Sequence, residues 1–238
     1  MSQIKERPIL FSAPMVRAIL EGRKTVTRRT VKVQPHIDAS GNFCVGRSNY
    51  GQDGYGKPVT KHFIKDCCPY GKPGDRLWVR ETWARAGNDD PGYLTYRATY
   101  PACLPQDLEN VPPASDVRWK PSIHMFRADS RVLLEITDVR VERLQNISED
   151  QAQAEGCFFT DYGRKCGHGG NGWREVGDCP APKEHHPQRD GWMWDSTTSH
   201  EQCLGSARNA FGNLWNTTGG DWDANPWVWV VEFKRVAP

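Results

Sequence analysis

Residues 22–29 read Gly-Arg-Lys-Thr-Val-Thr-Arg-Arg. The stretch places one lysine, two threonines and three arginines in eight positions, and a hydrophobic core does not use such a mixture. A threonine hydroxyl close to a lysine amine is a pairing of nucleophile and base, and arginines suit an anionic or nucleobase-containing ligand. The alternative interpretation is a solvated basic strand edge, where Lys and Thr are common.

The elements on either side decide whether this stretch can form a site. An apolar stripe over residues 16–20 predicts a short helix that ends at Gly22, and a strand over residues 25–33 follows. On a regular strand Lys24 and Thr27 would face opposite sides, because side chains alternate. The two side chains can share a site only if the chain turns or bulges between them.

Composition limits the class of protein. The 238 residues are 37% hydrophobic with a mean hydropathy of −0.70, which predicts a folded protein with long polar loops. No apolar run has the length of a membrane span, and no signal peptide is recognised, so we expect a cytoplasmic protein without a membrane partner. Residues 1–35 carry eight Lys and Arg against two Glu on a chain of net charge +2, which predicts local binding of an anionic partner. The ten tryptophans add stacking surfaces for bases, although most of them should belong to the core.

Glu81 lies in a strand predicted over residues 74–83. If the face that carries Leu77 and Val79 is the core, Glu81 points inward and needs a partner such as Lys24 or Arg29. A structural ion pair and a role in a binding site are both open.

Glu155 is the last acidic residue of a helix predicted over residues 148–156, which opens with a capping box and closes at Gly156. A carboxylate at a helix C-terminus meets the negative end of the helix dipole, and this disfavours its ionisation. Such a group suits general acid–base chemistry. The alternative is a merely exposed glutamate.

Two insertions interrupt the regular elements. Residues 34–73 are rich in glycine and aromatic residues and form a substrate lid or a disordered loop. Residues 157–200 supply six zinc-type ligands, in a spacing that matches no standard zinc motif: Cys157, Cys166, His168, Cys179, His185 and His186. A structural zinc and a reduced glycine-rich loop are both open, because eight cysteines in a cytosolic chain are expected to be thiols or metal ligands.

The order of elements predicts an α+β fold. There is no alternation of strand and helix that would build a parallel sheet, and no glycine-rich phosphate loop. We predict a mixed β-barrel with helices at its rim, formed by one domain over residues 1–238 with the two insertions.

Several separated segments together resemble the ASCH family, a branch of the PUA-like β-barrels. Residues 19–29 are similar to the family signature ILxGxKTxTxR, and Gly74-Asp75 stands where the family has a Gly-Asp turn. Residues 154–156, Ala-Glu-Gly, and the strand over 230–234 complete the match. The resemblance covers about half of the chain, leaves out both insertions, and is strongest to the larger ASCH proteins of phages and prophages.

The resemblance implies a chemistry. Some small bacterial members of the family are amidohydrolases that act on N4-acetylcytidine, and their catalytic lysine, threonine and glutamate fall on Lys24, Thr27 and Glu155. In this hypothesis Lys24 takes the proton of Thr27, Thr27 attacks the acyl carbon, and Glu155 protonates the leaving amine and activates water. No metal or other cofactor is required.

Three further residues are expected to bind the substrate: Arg28, Arg29 and Glu81. Arg29 or a backbone N–H would stabilise the oxyanion. Arg28 stands where the small enzymes carry an apolar residue, and Glu81 has no counterpart in their catalytic set. Because of these two differences, the identity of the substrate stays open.

Two other functions fit the same residues. PUA-like barrels also bind RNA without chemistry, and ribonuclease activity is attributed to some ASCH members. The Lys24, Thr27 and Glu155 set favours chemistry, whereas the basic patch and the aromatic loops favour a polynucleotide over a free nucleoside. The expected partner is therefore a nucleoside or RNA.

Overall fold

The structure, a computed structural model, describes residues 4–87, 91–168, 172 and 174–237. It divides into two compact units. The first unit comprises Met1–Asn146 and Asp223–Pro238, and the second comprises Ile147–Trp222. Each is described by itself.

The strands are short except for three. In chain order they are β1 Glu6–Leu10, β2 Val26–Thr30, β3 Pro35–Ile37, β4 Phe43–Val45, β5 Ser48–Gly51, β6 Arg76–Arg80, β7 Trp83–Ala86, β8 Tyr93–Tyr96, β9 Leu133–Arg143, β10 Phe158–Cys166, β11 Arg174–Glu175, β12 Gln188–Met193 and β13 Trp227–Val236.

Four α-helices accompany them. They are α1 Ala13–Leu20, α2 Lys61–Cys67, α3 Glu149–Ala154 and α4 Ala207–Thr217. Within the described ranges, none of the helices has the length and apolarity that crossing a membrane demands.

A five-stranded sheet forms the framework of the first unit, in the order β1-β6-β9-β13-β2. β1 pairs with β6 in parallel, and the other neighbours are antiparallel. The apolar residues on both faces of 227–236 predict a buried strand, and this is confirmed, since β13 lies between β9 and β2 and Val228, Val230 and Val231 are fully buried.

The first insertion is structured and packs on this sheet. Residues 34–73 contain a second sheet, in the order β3-β4-β5, and helix α2. Phe63 of α2 stacks on Trp229 with ring centroids 4.9 Å apart, and Phe43 of β4 meets Trp227 edge-on at 5.3 Å. The aromatic residues that made this segment look like a loop are therefore a packing surface.

The second unit holds a three-stranded sheet, in the order β11-β10-β12, with α3 and α4. The capping box predicted at residues 148–151 is confirmed: the Ser148 hydroxyl accepts from the Gln151 amide, and the Gln151 side chain accepts from the Ser148 amide. The apolar residues of 201–215 predict a last helix from about Glu201 to Trp215, and this start is wrong. α4 begins at Ala207 because Ser206 caps it and the carboxylate of Glu149 accepts from the Ala207 amide.

The observed fold is α+β, as predicted. In the residues that the structure describes, the sheets are open and none of them closes into a barrel. The second insertion, predicted over 157–200, is built around β10 and β12 and is not a bare loop. Residues 169–171 and 173 of this insertion lie outside the described residues.

Hydrogen bonds to the Asp75 carboxylate connect the N-terminal strand, β1, to the sheet. This buried carboxylate accepts hydrogen bonds from the Lys5 amide at 3.1 Å, the Lys72 amide at 3.3 Å and the Arg7 guanidinium at 3.0 Å. The turn before it is tight, because a Cβ added at Gly71 would lie 2.7 Å from a carboxylate oxygen of Asp75. Burial alone would raise the pKa of Asp75, but these hydrogen bonds outweigh it and lower the pKa below its ordinary value.

We expect Asp75→Asn to lower the free energy of unfolding by about 1–3 kcal/mol, because the substitution removes the charge that these donors share. A carboxyl with a lowered folded-state pKa stabilises the fold above its unfolded pKa and loses that contribution as the pH falls through the folded value. The difference between wild type and variant, measured by urea unfolding, should therefore shrink on acidification. Asp107→Asn, at an exposed position, is the control. Equal stability of Asp75→Asn and wild type at neutral pH would contradict this role.

Candidate functional site

The chain turns between helix α1 and strand β2. Gly22 adopts a left-handed conformation with φ of +77°, and the Lys24 amide donates back to the Ala18 carbonyl at 3.0 Å. β2 begins at Val26, so Lys24 lies outside the regular strand. This turn precedes Lys24, at Glu21 and Gly22, and does not lie between Lys24 and Thr27.

Two cations converge on the ring of Phe11, in the connection between β1 and α1. The Lys24 Nζ lies 5.6 Å from the ring centroid, and the guanidinium carbon of Arg29 lies 5.2 Å from it. Arg29 is oriented further by a hydrogen bond from Nη2 to the Leu10 carbonyl at 2.6 Å. Sequence reasoning missed Phe11, because nothing in its neighbourhood distinguishes it from an ordinary core residue.

Thr27 shares a sheet face with Arg29. The two residues are two positions apart on β2, opposite Val231 and Trp229 of β13. Arg29 and Lys24 meet at the ring of Phe11. Thr27 is 3% exposed.

The first insertion covers the same face. Trp229, opposite Arg29, carries the stacked ring of Phe63. Burial raises the pKa of Tyr70, near the end of the insertion, while the nearby positive charge of Arg29 opposes the rise. Aromatic residues of the insertion therefore line the sheet next to Thr27 and Arg29.

Arg28 faces the other side of the sheet. Its fully buried side chain donates from Nη2 to the carboxylate of Glu142 at 2.7 Å. Glu142 also meets Arg140, which pairs with Glu232 as well. The structure therefore does not bring Arg28 together with Lys24, Thr27 and Arg29.

Glu81 lies in a separate ion pair. Its carboxylate, 1% exposed, accepts two hydrogen bonds from Arg131, at 2.9 and 3.0 Å, and the Arg131 guanidinium stacks 3.9 Å above the Tyr96 ring. The sequence predicted Lys24 or Arg29 as the partner, but the partner is Arg131. Burial raises the pKa of Glu81, and the guanidinium opposes this rise.

Glu155 belongs to the second unit. It is the C-terminal cap of α3, and Gly156 follows in a left-handed conformation with φ of +106°. The interpretation of Glu155 as an exposed residue is wrong, because it is 2% exposed.

The second unit also contains a cluster of thiols and imidazoles. It comprises Cys166, His168, Cys179 and His186, whose ligand atoms all lie within 4.8 Å of one another. All eight cysteines are free, as predicted. The pKa of the Cys179 thiol is lowered to about 6 by hydrogen bonding to His168, with further contributions from the neighbouring groups. Such a cluster has the composition and size to hold a metal ion.

Comparisons of the chain with protein-family models, with curated proteins and with solved structures find no match. The similarity to the ASCH family therefore stays a prediction from the motifs.

The Glu81–Arg131 pair makes a testable prediction. Arg131→Met should lower the free energy of unfolding by about 3–5 kcal/mol, because it leaves a buried carboxylate without its partner. The double variant Glu81→Gln/Arg131→Met should recover much of that loss, since it removes the uncompensated charge. Chemical denaturation of both single variants and the double variant measures the coupling. If the loss in free energy of unfolding of the double variant equals the sum of the two single losses, the side chains do not interact. This result would contradict the ion pair and favour a role of Glu81 in substrate binding.

Proposed function

We propose that this protein acts on a modified nucleoside or base and that it removes the acyl group from an N4-acylated cytidine. The proposal includes the PUA-like, ASCH-type identity of the first unit, which rests on the sequence motifs. The observation that supports it best is the convergence of the Lys24 amine and the Arg29 guanidinium on Phe11, with Arg29 on the strand face that carries Thr27.

The first step forms an acyl-enzyme. The Thr27 hydroxyl oxygen attacks the acyl carbon, and its proton passes to the neutral amine of Lys24. The negative charge that develops on the acyl oxygen is met by Arg29, whose buried Nε–H has no hydrogen-bond partner among the described residues. A buried donor without a partner is costly in the free protein and would gain a partner from this oxygen.

The second part of the reaction releases the products. A general acid, the role that the ASCH-type motif gives to Glu155, donates a proton to the leaving N4 nitrogen as the carbon–nitrogen bond breaks, which frees cytidine. The resulting carboxylate then takes a proton from water, whose oxygen attacks the acyl-threonine ester. Cleavage of this ester releases the carboxylic acid, and Lys24 returns its proton to the Thr27 oxygen, which restores the hydroxyl. No step uses a metal ion; a zinc ion held by the cysteine- and histidine-rich insertion would be structural.

The charges of the first unit favour a small ligand. Several of the cations in residues 1–35 pair with carboxylates, among them Arg7 with Asp75, Arg23 with Glu21 and Arg28 with Glu142. Neutralised in this way, they contribute little to the attraction of a phosphate backbone.

The test compares two matched pairs of variants with N4-acetylcytidine as substrate. Thr27→Val removes the hydroxyl at nearly constant volume and should lower kcat by on the order of 10³-fold or more. Thr30→Val, at the exposed end of the same strand, should leave kcat unchanged. Lys24→Ala should lower kcat by on the order of 10²–10⁴-fold, with Lys32→Ala as its exposed control.

Liquid chromatography of the released cytidine measures turnover, and thermal unfolding verifies that each variant is folded. Glu155→Gln keeps the shape of the side chain and should also slow turnover. Conversion that survives Thr27→Val and Lys24→Ala would refute the mechanism. Absence of conversion in folded wild type, together with salt-sensitive RNA binding or cleavage, would replace it with the polynucleotide function.

A further inference from the structure

We propose that four side chains of the second unit form a closed structural zinc site: Cys166, His168, Cys179 and His186. Zinc prefers this ligand set in tetrahedral geometry. The proposal is independent of the reaction proposed for Lys24 and Thr27.

The distances fit one ion. Zinc–sulfur bonds of about 2.3 Å and zinc–nitrogen bonds of about 2.0–2.1 Å, at a tetrahedral angle, place sulfur and nitrogen ligands about 3.6 Å apart. The His168 Nδ1 lies 3.6 Å from the Cys166 sulfur and 3.4 Å from the Cys179 sulfur. The His168 and His186 rings lie 5.1 Å apart, so both imidazoles reach the same centre.

His186 supplies an independent observation. The residue is 1% exposed, and within the described residues neither of its buried ring nitrogens makes a hydrogen bond of good geometry, although the ring lies beside the Cys179 thiol. A buried imidazole normally satisfies at least one nitrogen, because leaving polar atoms without a partner costs free energy. Coordination of a metal ion provides that partner, since imidazole is a common zinc ligand.

The backbone brings the ligands together from two sides. Cys166 ends strand β10, and His168 follows two residues later. His186 precedes β12, the antiparallel partner of β10, and its carbonyl accepts from Arg164 Nη1 at 2.9 Å. Cys179 lies in the connection between them. An ion at this position would tie the open end of the hairpin to that connection.

The segment that carries the four ligands contains few aliphatic side chains that could stabilise it by packing. Residues 158–187 contain one valine and no leucine, isoleucine or methionine. Segments that cannot build an apolar core rely on cross-links, and metal binding then contributes directly to the free energy of folding.

Charge also balances at the site. Two cysteine thiols would release their protons to solvent on binding, and the two thiolates would neutralise the double charge of the zinc ion, with both imidazoles neutral. Four protein ligands leave no open position for water or substrate, so the site is structural and not catalytic.

The first experiment measures metal content. The full chain, purified with reduced thiols from cells supplied with zinc, should retain about one zinc per chain after dialysis, as a closed four-ligand site predicts. Replacement of zinc by cobalt(II) should give the visible absorption of a tetrahedral ion and a thiolate-to-cobalt charge-transfer band. Less than a tenth of a zinc per chain and no cobalt spectrum would overturn the proposal, as would a disulfide between Cys166 and Cys179 detected by mass spectrometry.

Matched variants identify the ligands. His186→Gln should lower zinc affinity at least tenfold, measured by competition with a chromogenic chelator, whereas His185→Gln at the exposed neighbouring position should not. Cys179→Ser should lose the charge-transfer intensity of one thiolate, with Cys67→Ser in the first unit as control. Equal zinc affinity of the two histidine variants would overturn the assignment of His186.

Chelation of the wild type tests the structural role without a substitution. Removing zinc should speed proteolytic cleavage within residues 158–187 several-fold and leave cleavage of β9 and β13 unchanged. Restoring zinc should reverse the effect. Zinc removal that leaves the cleavage rate unchanged would refute the structural role.

Discussion

The register between β2 and β13 is the constraint on which the candidate site depends. Thr27 lies opposite Val231, Arg28 opposite Val230 and Arg29 opposite Trp229. Because side chains alternate across a strand, a shift by one residue would move Arg28 to the face of the candidate site and bury Thr27 and Arg29 on the other. The register is held from both sides, since β13 also pairs along its length with β9. The C-terminal strand therefore determines which residues of the N-terminal stretch can act together.

This register also determines which surroundings each charged side chain of β2 meets. On one face Arg28 joins Glu142 and Arg140 in an ion-pair network, where each charge has a partner. The Lys24 amine and the Arg29 guanidinium instead meet the π-face of Phe11. The first arrangement suits stability. The second places two cationic groups at one aromatic ring, and such groups can stabilise negative charge that develops in a reaction.

Local features of the fold were predictable from the sequence, and long-range pairings were not. The capping box at Ser148 and the helix stop at Gly22 depend on neighbouring residues only, so their motifs were sufficient. The partner of Glu81 is Arg131, fifty positions away, and no local pattern identifies it. The aromatic residues of 34–73 predicted a loop because their partner surface, the face of β13, is distant in sequence.

The ligand set of the cysteine- and histidine-rich insertion also depends on long-range pairing and could not be predicted from local sequence patterns. The sequence offered six ligands, and only the pairing of β10 with β12 selects four of them, because it brings His186 back beside Cys166. His185 is adjacent to His186 yet exposed, so one position along the chain separates a buried imidazole that makes no hydrogen bond of good geometry from a solvated one. Burial without such a hydrogen bond is a property that folding creates and composition cannot show. That property is what turns a list of candidate residues into a specific site for an ion.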